Sequence, residues 1–260
     1  VRPSYLPESR RIVLEGTVAL GAADTLSFAT RDPVRQSAAV WLRALQRAGV
    51  EAEGLEIGWL EGEAVGHGCR AGSVPDCGSA HLLAVLESPP VEELVAGILE
   101  PSQNWMTEQM VRVLGARFGE EGSWREGIEV IERFLVDEVG VDSLDIAPRD
   151  GSGLSAYNLV TPRALVRILT YMHRSPHAAA YRSAMAEPAE DDSTLERRLP
   201  HLEGRLFAKT GTISNVNSLS GYLVREDGRE LVFSVLTNGS GLPSSEVRRA
   251  IDEVVSILAR

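Results

Sequence analysis

The stretch Phe207-Ala208-Lys209-Thr210-Gly211-Thr212-Ile213 is the most informative part of this 260-residue chain. Lys209 is the only lysine in the sequence, although lysine and arginine together number 26. A lysine is a compact point charge whose pKa its surroundings can shift, and arginine does not reproduce this. A glycine inside a strand often marks the close approach of a ligand or another backbone. The pattern predicts either a ligand-binding strand or, on equal terms, a strand with an exposed lysine and a bulge glycine.

Two further stretches carry polar side chains beside predicted helices. The first is Pro101-Ser102-Gln103-Asn104, where a serine and an asparagine two residues apart can reach one pocket from a turn. The alternative is that Ser102 is an ordinary helix N-cap. The second is Asp150-Gly151-Ser152-Gly153-Leu154-Ser155, which on its own predicts a tight turn with glycines at positive φ. Gly-x-Ser-x-Gly is absent, so the sequence does not support a Ser/His/Asp triad.

The composition excludes several functions. A net charge of -11 argues against a nucleic-acid surface, because phosphate binding needs clustered cations. No apolar run is long enough to predict a membrane span. Neither a phosphate-binding glycine loop nor a common zinc-finger or zinc-ribbon spacing is present, so we expect no cofactor and no metal. Cys69 and Cys77 lie in a Gly/Pro/Ser loop that could close a local disulfide, and two free thiols are the alternative.

Helices are predicted where apolar residues recur at helical spacing after a capping residue. Ser123 and Glu126 form a capping box, and Asp32-Pro33 and Thr161-Pro162 open two other helices. In the last sixty residues the patterns predict three strands, at 209–213 with a lead-in from 205, at 220–225 and at 230–236. A final helix is predicted to begin at 243. Helices followed by an antiparallel meander predict an α+β fold.

Taken together, the Ser102, Asp150 and Lys209 stretches resemble the penicillin-recognising serine enzymes. They are most similar to the D-alanyl-D-alanine carboxypeptidase/endopeptidase family of class C low-molecular-mass penicillin-binding proteins, peptidase family S13. The resemblance implies a penicillin-binding transpeptidase or serine β-lactamase-like fold, an antiparallel sheet flanked by helices. It also implies that residues 80–260 are the C-terminal portion of the catalytic domain. Residues 1–79 would then be the C-terminal portion of an inserted accessory domain.

The chain departs from this family in one respect. Family members carry a Ser-x-x-Lys motif whose serine is acylated, but Leu206 stands three residues before the only lysine here. We therefore expect a fold that is incomplete at its N-terminus, with the nucleophile on an N-terminal segment absent from this chain. The chain alone would then be inactive. The alternative is a homologue that has lost its nucleophile and binds muropeptides or β-lactams without catalysis.

For the complete protein, the resemblance implies a serine-type D-Ala-D-Ala carboxypeptidase or endopeptidase that acts on peptidoglycan stem peptides and binds penicillins. Its location would be periplasmic or otherwise extracytoplasmic. A β-lactamase or esterase on the same fold is the other alternative. The residues implied are, as catalytic, Ser102, Asn104 and Lys209; as substrate-binding, Thr210, Gly211 and Thr212; and as shaping the site, Asp150 and Ser152.

Overall fold

The chain forms two compact units, Val1–Val85 and Leu86–Arg260. The computed structural model describes residues 2–6, 11–21, 23, 32–51, 87–120 and 122–260. Both cysteines lie outside these described residues. Within the described ranges, no helix is long and apolar enough to cross a membrane.

The first unit contains a strand pair and one helix among its described residues. Strands β1 (Arg2–Leu6) and β2 (Arg11–Glu15) pair in antiparallel register. Helix α1 (Pro33–Arg47) begins where the sequence predicts, because the Asp32 carboxylate accepts a hydrogen bond from the Arg35 backbone N–H at 3.0 Å. Such a side chain satisfies an N–H group that has no partner inside the helix.

Two helices of the second unit begin at the capping residues that the sequence predicts, Ser123 and Thr161. Ser123 Oγ accepts from the Glu126 N–H at 3.2 Å, and the Glu126 carboxylate accepts from the Ser123 N–H at 2.9 Å, which confirms the capping box. Thr161 Oγ1 accepts from the Ala164 N–H at 3.2 Å. The helices are α2 (Val91–Leu99), α3 (Asn104–Phe118), α4 (Trp124–Asp137), α5 (Pro162–Arg174), α6 (Ala178–Ser183) and α7 (Ser244–Leu258).

Helices α3 and α4 touch at two glycines, with no side chain between their backbones. A Cβ atom added at Gly127 would lie 2.0 Å from the Val111 carbonyl oxygen. One added at Gly115 would lie 2.4 Å from the Ser123 carbonyl oxygen. This close packing fixes α3, which begins at Asn104, against α4.

The predicted antiparallel meander is confirmed as a three-stranded sheet whose strands pair in the order of the chain. The second strand begins at Val216 rather than at Ser220, because its pairing continues until Val216 lies opposite Ile213. The sequence does not predict this extension, because Asn217 and Ser218 are polar neighbours and interrupt the alternation of apolar and polar residues. The strands of the second unit are β3 (Ile146–Ala147), β4 (Leu159–Val160), β5 (Leu206–Ile213), β6 (Val216–Val224) and β7 (Glu230–Asn238).

The three-stranded sheet packs against helices on both faces. On one face Leu206 and Ala208 join a buried cluster that includes Ile251 and Val255 of α7. On the other face Phe207 packs against a cluster formed by Leu169 of α5 with Met185 and Tyr222. Because alternate strand residues point to opposite faces, Lys209 shares the second face with Phe207.

Candidate active site

Lys209 is half-buried, so its interpretation as an exposed lysine is wrong. It lies opposite Ser220 on β6. The Ser220 hydroxyl in turn lies 2.9 Å from the hydroxyl of Ser234 on β7. The lysine therefore emerges from a row of polar side chains on a face that is otherwise apolar near Phe207.

Ser102 meets Lys209 although the two residues are 107 apart in the sequence. Lys209 Nζ donates to Ser102 Oγ at 2.8 Å and to the Thr210 carbonyl oxygen at 2.9 Å. The N-cap interpretation of Ser102 is wrong, because Gln103 caps α3 by accepting from the Trp105 N–H. Ser102 has φ of 60°, and this left-handed conformation costs a residue other than glycine roughly 1–2 kcal/mol. Strain of this kind concentrates at functional sites.

Burial lowers the pKa of Lys209 from 10.5 to about 8. The cause is desolvation, which disfavours the charged ammonium form. A pKa close to the working pH suits a group that gives and takes protons. Because the Ser102 hydroxyl lies at hydrogen-bond distance from the amine, Ser102 and Lys209 together can pass a proton to the leaving group of a reaction.

The lowered pKa can be measured directly, because a lysine labelled with ¹³C at Cε gives one NMR signal in a chain with one lysine. We expect that signal to titrate with a midpoint near pH 8 in the folded chain and near 10.5 in urea. Between these values the unfolded chain binds more protons, so the contribution of Lys209 to the free energy of unfolding rises with pH. A folded-state midpoint near 10.5 would contradict the burial of this amine.

The outer edge of β5 presents backbone donors beside Lys209. The Ala208 N–H donates to the Ala186 carbonyl oxygen at 3.0 Å, on the side of β5 away from β6. Backbone N–H groups alternate in direction along an antiparallel strand, so those of Thr210 and Thr212 point to this same outer side. In the described part of the chain, β5 is an edge strand of its sheet. An extended peptide can therefore add here as a further strand.

Gly211 keeps the two strands close beside the lysine. A Cβ atom at this position would lie 2.4 Å from Ser218 Oγ. Ser218 lies directly opposite on β6, and its hydroxyl donates to the Gly211 carbonyl oxygen at 3.5 Å. A larger residue would fit only if the Ser218 side chain rotated away.

The Asp150 segment is a tight turn, as the sequence predicts. The Asp150 carboxylate accepts from the N–H groups of Gly153 at 2.7 Å and Ser155 at 2.5 Å. It also accepts from the Asn158 side-chain amide at 2.7 Å. Gly153 has φ of 77°, a conformation that favours glycine. The turn connects β3 to β4.

The predicted residues fall into two groups. The Lys209–Ser102 hydrogen bond joins the turn before α3 to β5. The first group consists of the predicted residues on these two neighbouring segments: Ser102, Asn104, Lys209, Thr210, Gly211 and Thr212. The second group is Asp150 and Ser152. Their turn packs beside α3 farther from its start, where the Ser152 backbone N–H donates to the Glu108 carboxylate at 2.9 Å. Sequence reasoning missed Glu108, because one acidic residue inside a predicted helix carries no motif.

Other candidate centres are not supported. Among the described residues, no group of three or more His, Cys, Asp and Glu side chains could hold a metal ion. An open groove of about 1030 Å³ lies between the end of α4 and α5, with Asp145, Arg163 and Tyr171 in its lining. None of the predicted site residues lines this groove. The candidate site is therefore identified from its hydrogen bonds and its lysine rather than from the groove.

Lys209, on an edge strand, is hydrogen-bonded to a serine that precedes a helix. The fold around this pair is that of penicillin-binding proteins and class A β-lactamases. The chain belongs to the D-Ala-D-Ala carboxypeptidase 3 (S13) family, whose family model matches residues 5–260.

Individual relatives agree with this assignment. The chain is 31% identical over 241 residues to a D-alanyl-D-alanine carboxypeptidase of Actinomadura sp. (strain R39), covering 90% of this chain and 42% of that protein. Its fold is similar to that of penicillin binding protein 4 of Haemophilus influenzae in complex with a β-lactam. The TM-score is 0.72 and the identity 22%, and the match covers 90% of this chain and 53% of that one. A penicillin G-acylated predatory endopeptidase of Bdellovibrio bacteriovorus gives a TM-score of 0.55, 23% identity, and coverage of 65% and 45%. The chain spans about half the length of the relatives it matches.

Proposed function

We propose that this chain forms the Lys-Thr-Gly side of a serine acyl-transfer site that cleaves peptides ending in D-Ala-D-Ala. The observation that carries the proposal is the hydrogen bond from Lys209 Nζ to Ser102 Oγ, beside the outer edge of β5. Lys209 is the only lysine of these 260 residues, and it has this role beside Ser102. No Ser-x-x-Lys motif is present. The nucleophilic serine would therefore come from residues of the same protein outside these 260.

The reaction would proceed through an acyl-enzyme. The serine oxygen would bond to the carbonyl carbon of the penultimate D-Ala, and the peptide C–N bond would break. The departing nitrogen would take up the proton that the serine loses, relayed through Ser102 beside Lys209. Water would then hydrolyse the ester, releasing the acyl peptide as a carboxylate and restoring the serine.

The other residues would bind the substrate. The Thr212 N–H, which points outward from β5, would donate to the developing oxyanion, together with the N–H of the nucleophile. Loss of one such donor typically lowers the rate by about 100- to 1,000-fold. Thr210 would bind the terminal carboxylate, and Asn104, at the start of α3, would hold the substrate amide. Gly211 would keep the strand open to the peptide.

The proposal extends to β-lactams, to domain organisation and to location. A β-lactam amide would acylate the same serine, but its leaving nitrogen stays tethered to the opened ring. Residues 80–260 would form part of the catalytic domain, and residues 1–79 part of an accessory domain. The complete protein would act on peptidoglycan outside the cytoplasm. The names of the relatives support the peptidase activity and the reaction with β-lactams, since they include a D-alanyl-D-alanine carboxypeptidase and an endopeptidase acylated by penicillin G.

Labelling with a fluorescent penicillin tests the proposal. We expect no covalent adduct on the 260-residue chain, because it lacks the Ser-x-x-Lys serine. The protein extended upstream to include that motif should give one adduct per molecule by intact-mass measurement. Release of D-alanine from a D-Ala-D-Ala peptide should accompany it. An adduct on a serine of the 260-residue chain itself would contradict the assignment of the nucleophile.

The lack of a Ser-x-x-Lys motif in these residues also favours a second candidate, a protein that binds muropeptides without cleaving them. The two candidates differ in the complete reading frame. If it contains no Ser-x-x-Lys, a muropeptide should bind reversibly and no D-alanine should be released.

A further inference from the structure

The carboxylate of Glu108 on α3 links three separate segments. Its Oε2 accepts from the indole N–H of Trp124, the first residue of α4, at 2.8 Å. The same oxygen accepts from the Gly151 N–H at 3.3 Å, and Oε1 accepts from the Ser152 N–H at 2.9 Å. One side chain therefore joins α3, α4 and the Asp150 turn.

The turn also touches the backbone of α3 directly. A Cβ atom at Gly151 would lie 2.9 Å from the Thr107 carbonyl oxygen and 2.6 Å from Val111 Cγ2. Glu108, Gly151 and Ser152 are all half-buried at this contact. The Asp150 carboxylate braces the turn internally through its hydrogen bonds with Gly153, Ser155 and Asn158.

Glu108 is ionised at neutral pH. Burial raises the pKa of its carboxyl group, but the hydrogen bonds from Ser152, Trp124 and the backbone outweigh this and leave the pKa lowered. Hydrogen bonds to an ionised acceptor are shorter and stronger than those between neutral groups. The anchor is therefore charge-assisted.

Asn104 and Glu108 are four residues apart on α3 and so lie on the same face of the helix, about 6 Å apart along its axis. The N–H groups that Glu108 accepts therefore lie about one helical turn from Asn104. The helix follows Ser102, the hydrogen-bond partner of Lys209. We infer that Glu108 is a positioning residue, which holds the Asp150–Ser152 turn as a wall of the acyl-transfer site beside Asn104. The inference rests on the proposed function for its effect on turnover.

Glu108→Gln tests the inference with a side chain of the same shape. The neutral amide keeps one acceptor oxygen but places an NH₂ donor where the other carboxylate oxygen stood, so it cannot accept from both the Gly151 and the Ser152 N–H groups in this arrangement. In the complete protein we expect kcat/KM for a D-Ala-D-Ala peptide to fall by about 10- to 100-fold, the upper value being the loss that a displacement of about 1 Å can cause. Trp124→Phe is the matched control, because it removes a donor to Glu108 and leaves the turn bonded. Its effect should not exceed about fivefold, the contribution of one hydrogen bond.

Amide hydrogen exchange separates this inference from the proposed function, because it needs no activity. In the 260-residue chain, Glu108→Gln should accelerate exchange at Gly151 and Ser152 at least tenfold more than Trp124→Phe does. Unchanged exchange at these amides, or turnover within fivefold of the parent protein at a temperature where both are folded, would overturn the inference. If the parent complete protein does not react with penicillin, the proposed function fails instead, and the exchange result still decides whether Glu108 anchors the turn.

Discussion

Replacing Lys209 by methionine is expected to lower the rate of penicillin acylation of the complete protein by about 10²- to 10⁴-fold. This is the range that a positioned proton-transfer group contributes. Methionine fills a similar volume but cannot donate to Ser102 Oγ or to the Thr210 carbonyl oxygen, which Lys209 Nζ reaches at 2.8 Å and 2.9 Å. Single-turnover acylation, followed by intact mass, measures the change.

Two controls separate lost chemistry from lost folding. Burial lowers the pKa of Lys209, so the folded state disfavours its charge and Lys209→Met should not lower the melting temperature. Lys209→Arg keeps the positive charge, but the planar guanidinium cannot replace a compact ammonium between two close acceptors. We expect this variant to acylate slowly as well. A folded Lys209→Met protein that acylates at the parent rate would remove Lys209 from the mechanism.

Gly127→Ala is expected to destabilise the second unit strongly. The new Cβ atom would lie 2.0 Å from the carbonyl oxygen of Val111 and 2.7 Å from its carbonyl carbon. Both are backbone atoms, so α3 and α4 must separate to admit one methyl group. Overpacking of this kind costs about 1–3 kcal/mol, and more where the backbone cannot yield. Each kcal/mol corresponds to a shift of about 2–4 °C in melting temperature for a domain of this size.

Gly97→Ala on α2 is the matched control for this prediction. It makes the same substitution inside a helix, but no atom lies within 4 Å of the added Cβ. Alanine favours a helix over glycine by up to about 1 kcal/mol, so the melting temperature should rise. The two variants should therefore shift the melting temperature in opposite directions. A decrease in both would mean that helix packing does not explain the effect at Gly127.

Local signals in the sequence predict most of the second unit. The capping box of Ser123 with Glu126 sets the start of α4, and Thr161 sets the start of α5, because each involves residues only three apart. The Asp-Gly turn between β6 and β7 is equally local, with Gly228 at φ of 80°. The early start of β6 at Val216 was missed, since it depends on pairing with β5 rather than on its own residues.

The site shows the same division between local and tertiary information. The Lys209 stretch and the Ser102 stretch stand out in the sequence by composition and by resemblance. The role of Ser102 could not be decided there, because an N-cap and a partner for Lys209 need the same residue type. Glu108 left no signal at all, since its three donors come from positions 124, 151 and 152.

Composition and motif spacing identify the residues that could carry the chemistry, because the single lysine among 26 basic residues and the lack of Ser-x-x-Lys can be read directly from the chain. Packing in three dimensions establishes that Lys209 meets Ser102, that burial lowers the pKa of this lysine to about 8, and that Gln103 rather than Ser102 caps α3. The physical reason is that hydrogen bonds across 107 residues and the loss of water around an amine depend on how the sheet and helices pack.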